Sequence, residues 1–121
     1  MRASTAPPGS WALRDPQVAA AISLLHEDPA RPWTVEELAQ RVGVSRATLS
    51  RRFTHLVGEP PLAYLTRWRL ELAGRRLRDT ADALPAVARS VGYTSVSAFS
   101  RAFTRQWGTP PSRHRTGHHP P

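Results

Sequence analysis

Between residues 15 and 115 the apolar positions recur at intervals of three and four rather than in alternation, which predicts an all-α chain. Val18, Ile22 and Leu25 share one face of a helix that opens at Asp15, an N-cap with Pro16 in the first turn, and stops near His26, ahead of Pro29. Thr34, with Glu37 three positions on, forms a capping box for a second helix in which Leu38, Ala39 and Val42 face inward and Gly43 ends the run. Ser45 caps a third helix, whose inward stripe is Leu49, Phe53 and Leu56 and whose stop is Gly58. A long helix follows over 61–79, with Leu65, Leu72 and Leu77 as core, giving a strut of ~28 Å. Beyond it, a helix over 84–91 buries Val87, Ala88 and Val91. After a turn at Gly92, a helix over 95–107 buries Phe99, Phe103 and Trp107, and a short last helix starts at Pro111.

The stretch 38–61 returns as 87–111 with one extra residue in the turn after the glycine. Each copy has a short apolar helix, a glycine turn and a second helix, the outline of a helix-turn-helix unit. The outward face of the second helix carries Ala47, Ser50, Arg51 and Thr54 in the first copy, and Ser97, Ser100, Arg101 and Thr104 at the same offsets in the second. Small residues permit close approach to a groove floor, and one arginine on each face suits bidentate pairing with guanine O6 and N7. Neither face has an acid, as an ordinary solvated face usually would. A strut of ~28 Å with its flanking turns suits two such helices about 34 Å apart, the repeat of the major groove on one side of B-DNA.

Charge agrees with a polyanionic partner. The 121 residues carry a formal charge of +8, and every basic residue is arginine; codon bias in a GC-rich genome explains most of the missing lysine, so the net charge carries the weight. Residues 1–60 hold seven arginines against six acids and residues 61–121 hold ten against three, so steering toward nucleic acid comes mainly from the second half. With no cysteine, disulfides, thiolate nucleophiles and thiolate metal sites are excluded. No signal-peptide core and no run of 18 apolar residues is present, so no membrane is expected and a cytoplasmic location is the default. Residues 1–14, rich in Pro, Ser, Ala and Gly, and residues 116–121 read as flexible, linker-like tails around a domain over 15–115.

Other constellations favour plain structural readings. His114, His118 and His119 lack a neighbouring carboxylate, so no metal or other cofactor is expected. His26 and His55 read as surface or boundary residues. Glu36 and Glu37 suit the dipole at a helix start better than acid/base chemistry, and no spacing suggests a catalytic triad, so no enzyme is expected. Trp11, Trp33, Trp68 and Trp107 fit a core better than stacking on unpaired bases.

Two longer runs carry a family resemblance. Gly58, Pro61, Tyr64, Leu65, Arg69, Leu70 and Ala73 fit the pattern G-x-x-P-x-x-Y-L-x-x-x-R-L-x-x-A; Gly92, Tyr93, Ser95, Phe99, Arg101, Phe103 and Gly108 fit G-Y/F-x-S-x-x-x-F-x-R-x-F-x-x-x-x-G. The chain thus resembles the DNA-binding domain of AraC/XylS-type transcription regulators over about residues 15–115. The resemblance implies seven helices, two helix-turn-helix subdomains joined by a long central helix, and transcriptional control through double-stranded DNA and RNA polymerase. By matching positions it implies base contacts from Arg46, Ala47, Ser50 and Arg51, and from Val96, Ser97, Ser100 and Arg101. It places phosphate contacts around Thr34, Ser45, Thr94, Ser95, Arg105 and Arg113. The chain departs from the pattern where His114 precedes Arg115 in place of the usual tyrosine, and it has no room for the separate sensing or dimerising domain that most members carry. Sequence-specific duplex binding leads over two rivals: a charge-driven, non-specific nucleic-acid or RNA binder, and a protein-interaction module.

Overall fold

The computed structural model describes residues 14–117, and among them there are seven helices and no strand. They are α1 (Pro16–Glu27), α2 (Val35–Val42), α3 (Arg46–Val57), α4 (Pro61–Asp79), α5 (Leu84–Ser90), α6 (Val96–Trp107) and α7 (Pro111–Gly117). The contacts divide the described residues into two units. The first holds α1, α2, α3 and the start of α4, and the second holds the rest of α4, from Thr66, with α5, α6, α7 and the short segment Pro29–Arg31.

In the first unit, the Asp15 carboxylate accepts hydrogen bonds from the amides of Gln17 and Val18, satisfying donors that the first turn of α1 leaves unpaired. Val18, Ala21, Ile22 and Leu25 of α1 pack with Leu38 and Ala39 of α2, Leu49, Phe53 and Val57 of α3, and Tyr64 and Leu65 of α4. Trp33, also in this core, donates its indole N–H to the Asp28 carbonyl at 2.9 Å, so the ring is buried without an orphaned donor. Val57 closes the α3 stripe in place of the expected Leu56, which is only partly buried, as is Val42 in α2. Tyr64 stacks against His26, with a hydrogen bond of 2.6 Å between the hydroxyl and the ring nitrogen, and meets the edge of Phe53.

The second unit builds a separate core from Leu70, Ala73 and Leu77 of α4, Val87 and Ala88 of α5, Val91, and Phe99, Ala102 and Phe103 of α6. Leu72, expected inside, lies at its margin, and Leu70 and Ala73 fill the interior because α4 turns a different stripe to each of its two cores. Trp107 packs against this core and donates to the Leu70 carbonyl at 2.9 Å. Gly74 is buried beneath that indole, since a Cβ there would lie 2.6 Å from Trp107 Cζ2. His114, where the family pattern has tyrosine, is 2% exposed and packs against the rings of Phe103 and Trp107, so an imidazole fills this aromatic corner. Arg115 ties α7 down by donating to the carbonyls of Leu77 and Asp82.

The last helix runs to Gly117, two residues past the point where the composition suggests a tail, and the Thr116 hydroxyl donates back to the Ser112 carbonyl. Of the N-terminal tail expected over 1–14, Arg14 is helical and exposed, while residues 1–13, with Trp11, and the end of the C-terminal tail, with His118 and His119, lie outside the described residues. Among the described residues no group of three His, Cys, Asp or Glu side chains converges as a metal site.

Candidate nucleic-acid interface

Each helix-turn-helix is fixed by local chemistry. In the first, the Thr34 hydroxyl accepts from the Glu37 amide at 3.0 Å, starting α2, and Gly43 ends it at φ 80°, its amide reaching the Ala39 carbonyl at 2.9 Å. Two residues later the Ser45 hydroxyl accepts from the Thr48 amide and α3 begins. In the second, Gly92 turns the chain at φ 96°, the Tyr93 amide reaches the Ala88 carbonyl, and the Ser95 hydroxyl accepts from the Ala98 amide to begin α6. The extra residue, Thr94, lies in that turn and is exposed.

The second turn is also held from behind, in a way the first is not. Arg69 donates from Nε to the Pro29 carbonyl at 2.7 Å and from a terminal nitrogen to the Arg31 carbonyl at 2.9 Å. A Cβ on Gly92 would come within 3.0 Å of the Ala30 carbonyl oxygen and of the Arg69 guanidinium carbon, whereas around Gly43 the same test meets nothing within 4 Å. Tyr93, whose ring meets the edge of Phe99, sits beside Arg69. Burial pushes the Tyr93 phenol above its ordinary value, against the opposing fields of Arg69 and Arg105, and burial pulls the Arg69 guanidinium below its own, against the field of Tyr93.

The outward faces of α3 and α6 are as the spacing predicts. Arg46, Ala47 and Arg51 are exposed on α3 and Val96, Ser97 and Arg101 on α6, with Ser50 and Ser100 half-buried at matching positions. No hydrogen bond or ion pair among the described residues engages the guanidinium groups of Arg46, Arg51 or Arg101. Arg52, next along the chain, behaves oppositely: it lies 3.6 Å from the Asp15 carboxylate and donates to the Gln17 amide oxygen, joining α3 to the start of α1. Pattern alone does not separate Arg51 from Arg52, because the partner of Arg52 is 35 residues away and has no local signal. Arg69 stands in the family pattern, but its positioning role has no local signal either, because the carbonyls that hold it are 40 and 38 residues away.

Thr34, Ser45, Thr94, Ser95, Arg105 and Arg113, the expected phosphate ligands, are all exposed. Both serines cap helices, but their hydroxyl protons differ in use. Ser45 donates to Thr48 Oγ1 at 2.8 Å; at the matching place after Ser95 stands Ala98, with no hydroxyl, and nothing among the described residues takes the Ser95 proton.

The family model for a helix-turn-helix domain matches residues 38–117, spanning both repeats. A putative AraC-like transcription regulator of Streptomyces lividans is 55% identical over 85% of this chain. The chain belongs to the AraC-type helix-turn-helix family. A second family model, for tetR-type bacterial regulatory proteins, matches residues 18–55, where the first helix-turn-helix lies. Among solved structures, an AraC-type transcriptional regulator from Chromobacterium violaceum superposes with a TM-score of 0.83 at 27% identity, covering 91% of this chain and 98% of that one. The DNA-binding domain of AdpA, a global transcriptional factor solved in complex with a target DNA, gives 0.80 at 32% identity, covering 84% and 92%. The chain spans about a third of the length of the curated AraC-like relatives it matches, 34% in the Streptomyces lividans case.

Proposed function

We propose that this AraC-type chain binds duplex DNA sequence-specifically, with α3 and α6 as its two recognition helices in successive major grooves, and controls transcription through contact with RNA polymerase. The observation that carries the reading is the pair of matched, acid-free outward faces, each holding an arginine, Arg51 or Arg101, that no neighbour among the described residues engages. An arginine held ready in this way can meet guanine O6 and N7 bidentately, each pair giving about 1–3 kcal/mol of discrimination. Arg46, Ala47, Ser50, Val96, Ser97 and Ser100 complete the two base-facing surfaces. Thr34, Ser45, Thr94, Ser95, Arg105 and Arg113 hold the flanking phosphates, and the net charge of +8 supplies the sequence-independent attraction. Such a protein works in the cytoplasm, on the chromosome; no helix among the described residues is long and apolar enough to cross a membrane.

The test is selection of sites from a random duplex library by the 121-residue chain, repeated with Arg51→Ala and Arg101→Ala. Two information-rich patches about one helical turn apart are expected, each variant flattening one of them. Retention of duplex without enrichment of any sequence would overturn the reading in favour of charge-driven binding.

A further inference from the structure

Val96 is the first residue of α6, one position after the Ser95 cap, and is 37% exposed, one of two large apolar side chains left exposed among the described residues. It is not among the partly buried apolar residues packed against the second core, which are Leu72, Leu84, Tyr93 and Trp107. Packing therefore does not account for it. Val96, Ser100 and Thr104 stand at i, i+4 and i+8, one above another along the helix. The Thr104 hydroxyl donates to the Ser100 carbonyl at 2.8 Å, so its proton is spent on the helix itself. The matching ridge of α3 is Arg46, Ser50 and Thr54. The two ridges thus differ in kind at their first position, a cation in one and a branched hydrocarbon in the other.

In the major groove one base feature is met by hydrocarbon rather than by a hydrogen bond, the C5-methyl group of thymine. We propose that Val96 reads a thymine methyl, so that the half-site under α6 contains a thymine at the step facing the start of the helix, where the matching position of α3 presents the Arg46 cation instead. This deepens the proposed function and rests on its placement of α6 in the major groove. Val96 is a specificity-determining residue on this reading, because water covers both the methyl group and the valine in the free molecules and leaves both on contact. 5-Methylcytosine presents the same methyl group, and the experiment separates the two.

Sites selected by the full chain are resynthesised with deoxyuridine replacing each thymidine in turn, which removes the methyl and keeps the pairing. In parallel, 5-methylcytosine replaces cytosine at the same step. For the wild-type chain, deoxyuridine at one position is expected to weaken binding about fourfold, the transfer free energy of one buried methyl expressed as a ratio of constants. That position falls in the half-site whose preference Arg101→Ala erases. Val96→Ala is expected to bind the thymidine and deoxyuridine duplexes alike, and Val96→Ile to restore the difference. If deoxyuridine costs nothing anywhere in that half-site while Arg101→Ala still erases a preference there, the thymine contact is wrong and the wider reading stands. If Arg101→Ala erases no preference, both fail. Binding strengthened by 5-methylcytosine at that step, with no difference between thymidine and deoxyuridine there, would overturn the assignment to thymine.

Discussion

Gly43 and Gly92 hold the same place in the two repeats, yet alanine at the two positions is expected to have unequal effects. Both glycines have left-handed backbone, φ 80° and 96°, so each alanine brings about 1–2 kcal/mol of strain. At Gly43 the added methyl meets nothing within 4 Å, and strain is the whole cost. At Gly92 it lies 3.0 Å from the Ala30 carbonyl oxygen and from Arg69 Cζ and 3.1 Å from Ala30 Cα. Two of those neighbours are backbone, and the third is pinned by hydrogen bonds of 2.7 and 2.9 Å to the Pro29 and Arg31 carbonyls. Relief by a few tenths of an ångström breaks or stretches one of them. A charged hydrogen bond contributes about 1.5–3 kcal/mol, and the lower end applies because Arg69 is half-buried and one bond is open to solvent.

Gly43→Ala is therefore expected to cost about 1–2 kcal/mol and Gly92→Ala about 2.5–3.5 kcal/mol. Urea unfolding followed by circular dichroism gives the totals, and amide hydrogen exchange in α2–α3 and α5–α6 reads the two units separately. In the double variant Arg69→Ala/Gly92→Ala the losses should fall short of additivity, since both changes act on one contact. A Gly43→Ala variant as destabilised as Gly92→Ala, or full additivity with Arg69→Ala, would refute the reasoning.

Three further outcomes are expected. Gly74→Ala gains about 1 kcal/mol of helix propensity but drives a methyl to 2.6 Å from Trp107, an overpacking that costs about 1–3 kcal/mol, so thermal unfolding should come earlier; a stabilised variant would contradict the packing of that indole. Burial raises the Tyr93 phenol above 10.0, so the folded chain holds that proton more tightly than the unfolded one; the stability this confers is fully present below about pH 10 and drains as pH rises through the folded value. The depressed Arg69 guanidinium acts in the opposite sense, and only at still higher pH, so stability scans between pH 8 and about 11 isolate the tyrosine, and Tyr93→Phe should flatten them. Arg105→Ala should weaken binding to all duplex sequences alike and lower the salt slope by about one, and an unchanged slope would remove Arg105 from the proposed phosphate ligands.

Local rules carried the sequence reading a long way because most of the fold is set by neighbours. Asp15, Thr34, Ser45 and Ser95 start helices through bonds spanning two or three residues, and Gly43, Gly58 and Gly108 end them, so both ends of most elements are visible in the chain itself. The apolar stripes of α3 and α6 follow from the helical period, and with them the matched outward faces. The long helix was harder. It serves two cores in turn, so Tyr64 and Leu65 point to one and Leu70, Ala73 and Leu77 to the other, and a single stripe through Leu72 misplaces the middle. Arg52 and Arg69 were illegible in their roles, because the partners that hold them lie 35 and about 40 residues away and nothing local marks one arginine as tied and another as open. The different use of the hydroxyl protons of Ser45 and Ser95 needed the atoms, although Thr48 opposite Ala98 was the hint.

The two separate apolar cores uncouple the outer faces of the two repeats from one another. Residues that shape α3 from behind belong to the first cluster and those that shape α6 belong to the second, with no residue shared. A repeat built this way can change one copy at a time: a substitution on the outer ridge of either helix leaves the inner packing of both intact. Arg46 on one ridge and Val96 at the matching place on the other are a difference such an arrangement tolerates, since neither belongs to either cluster.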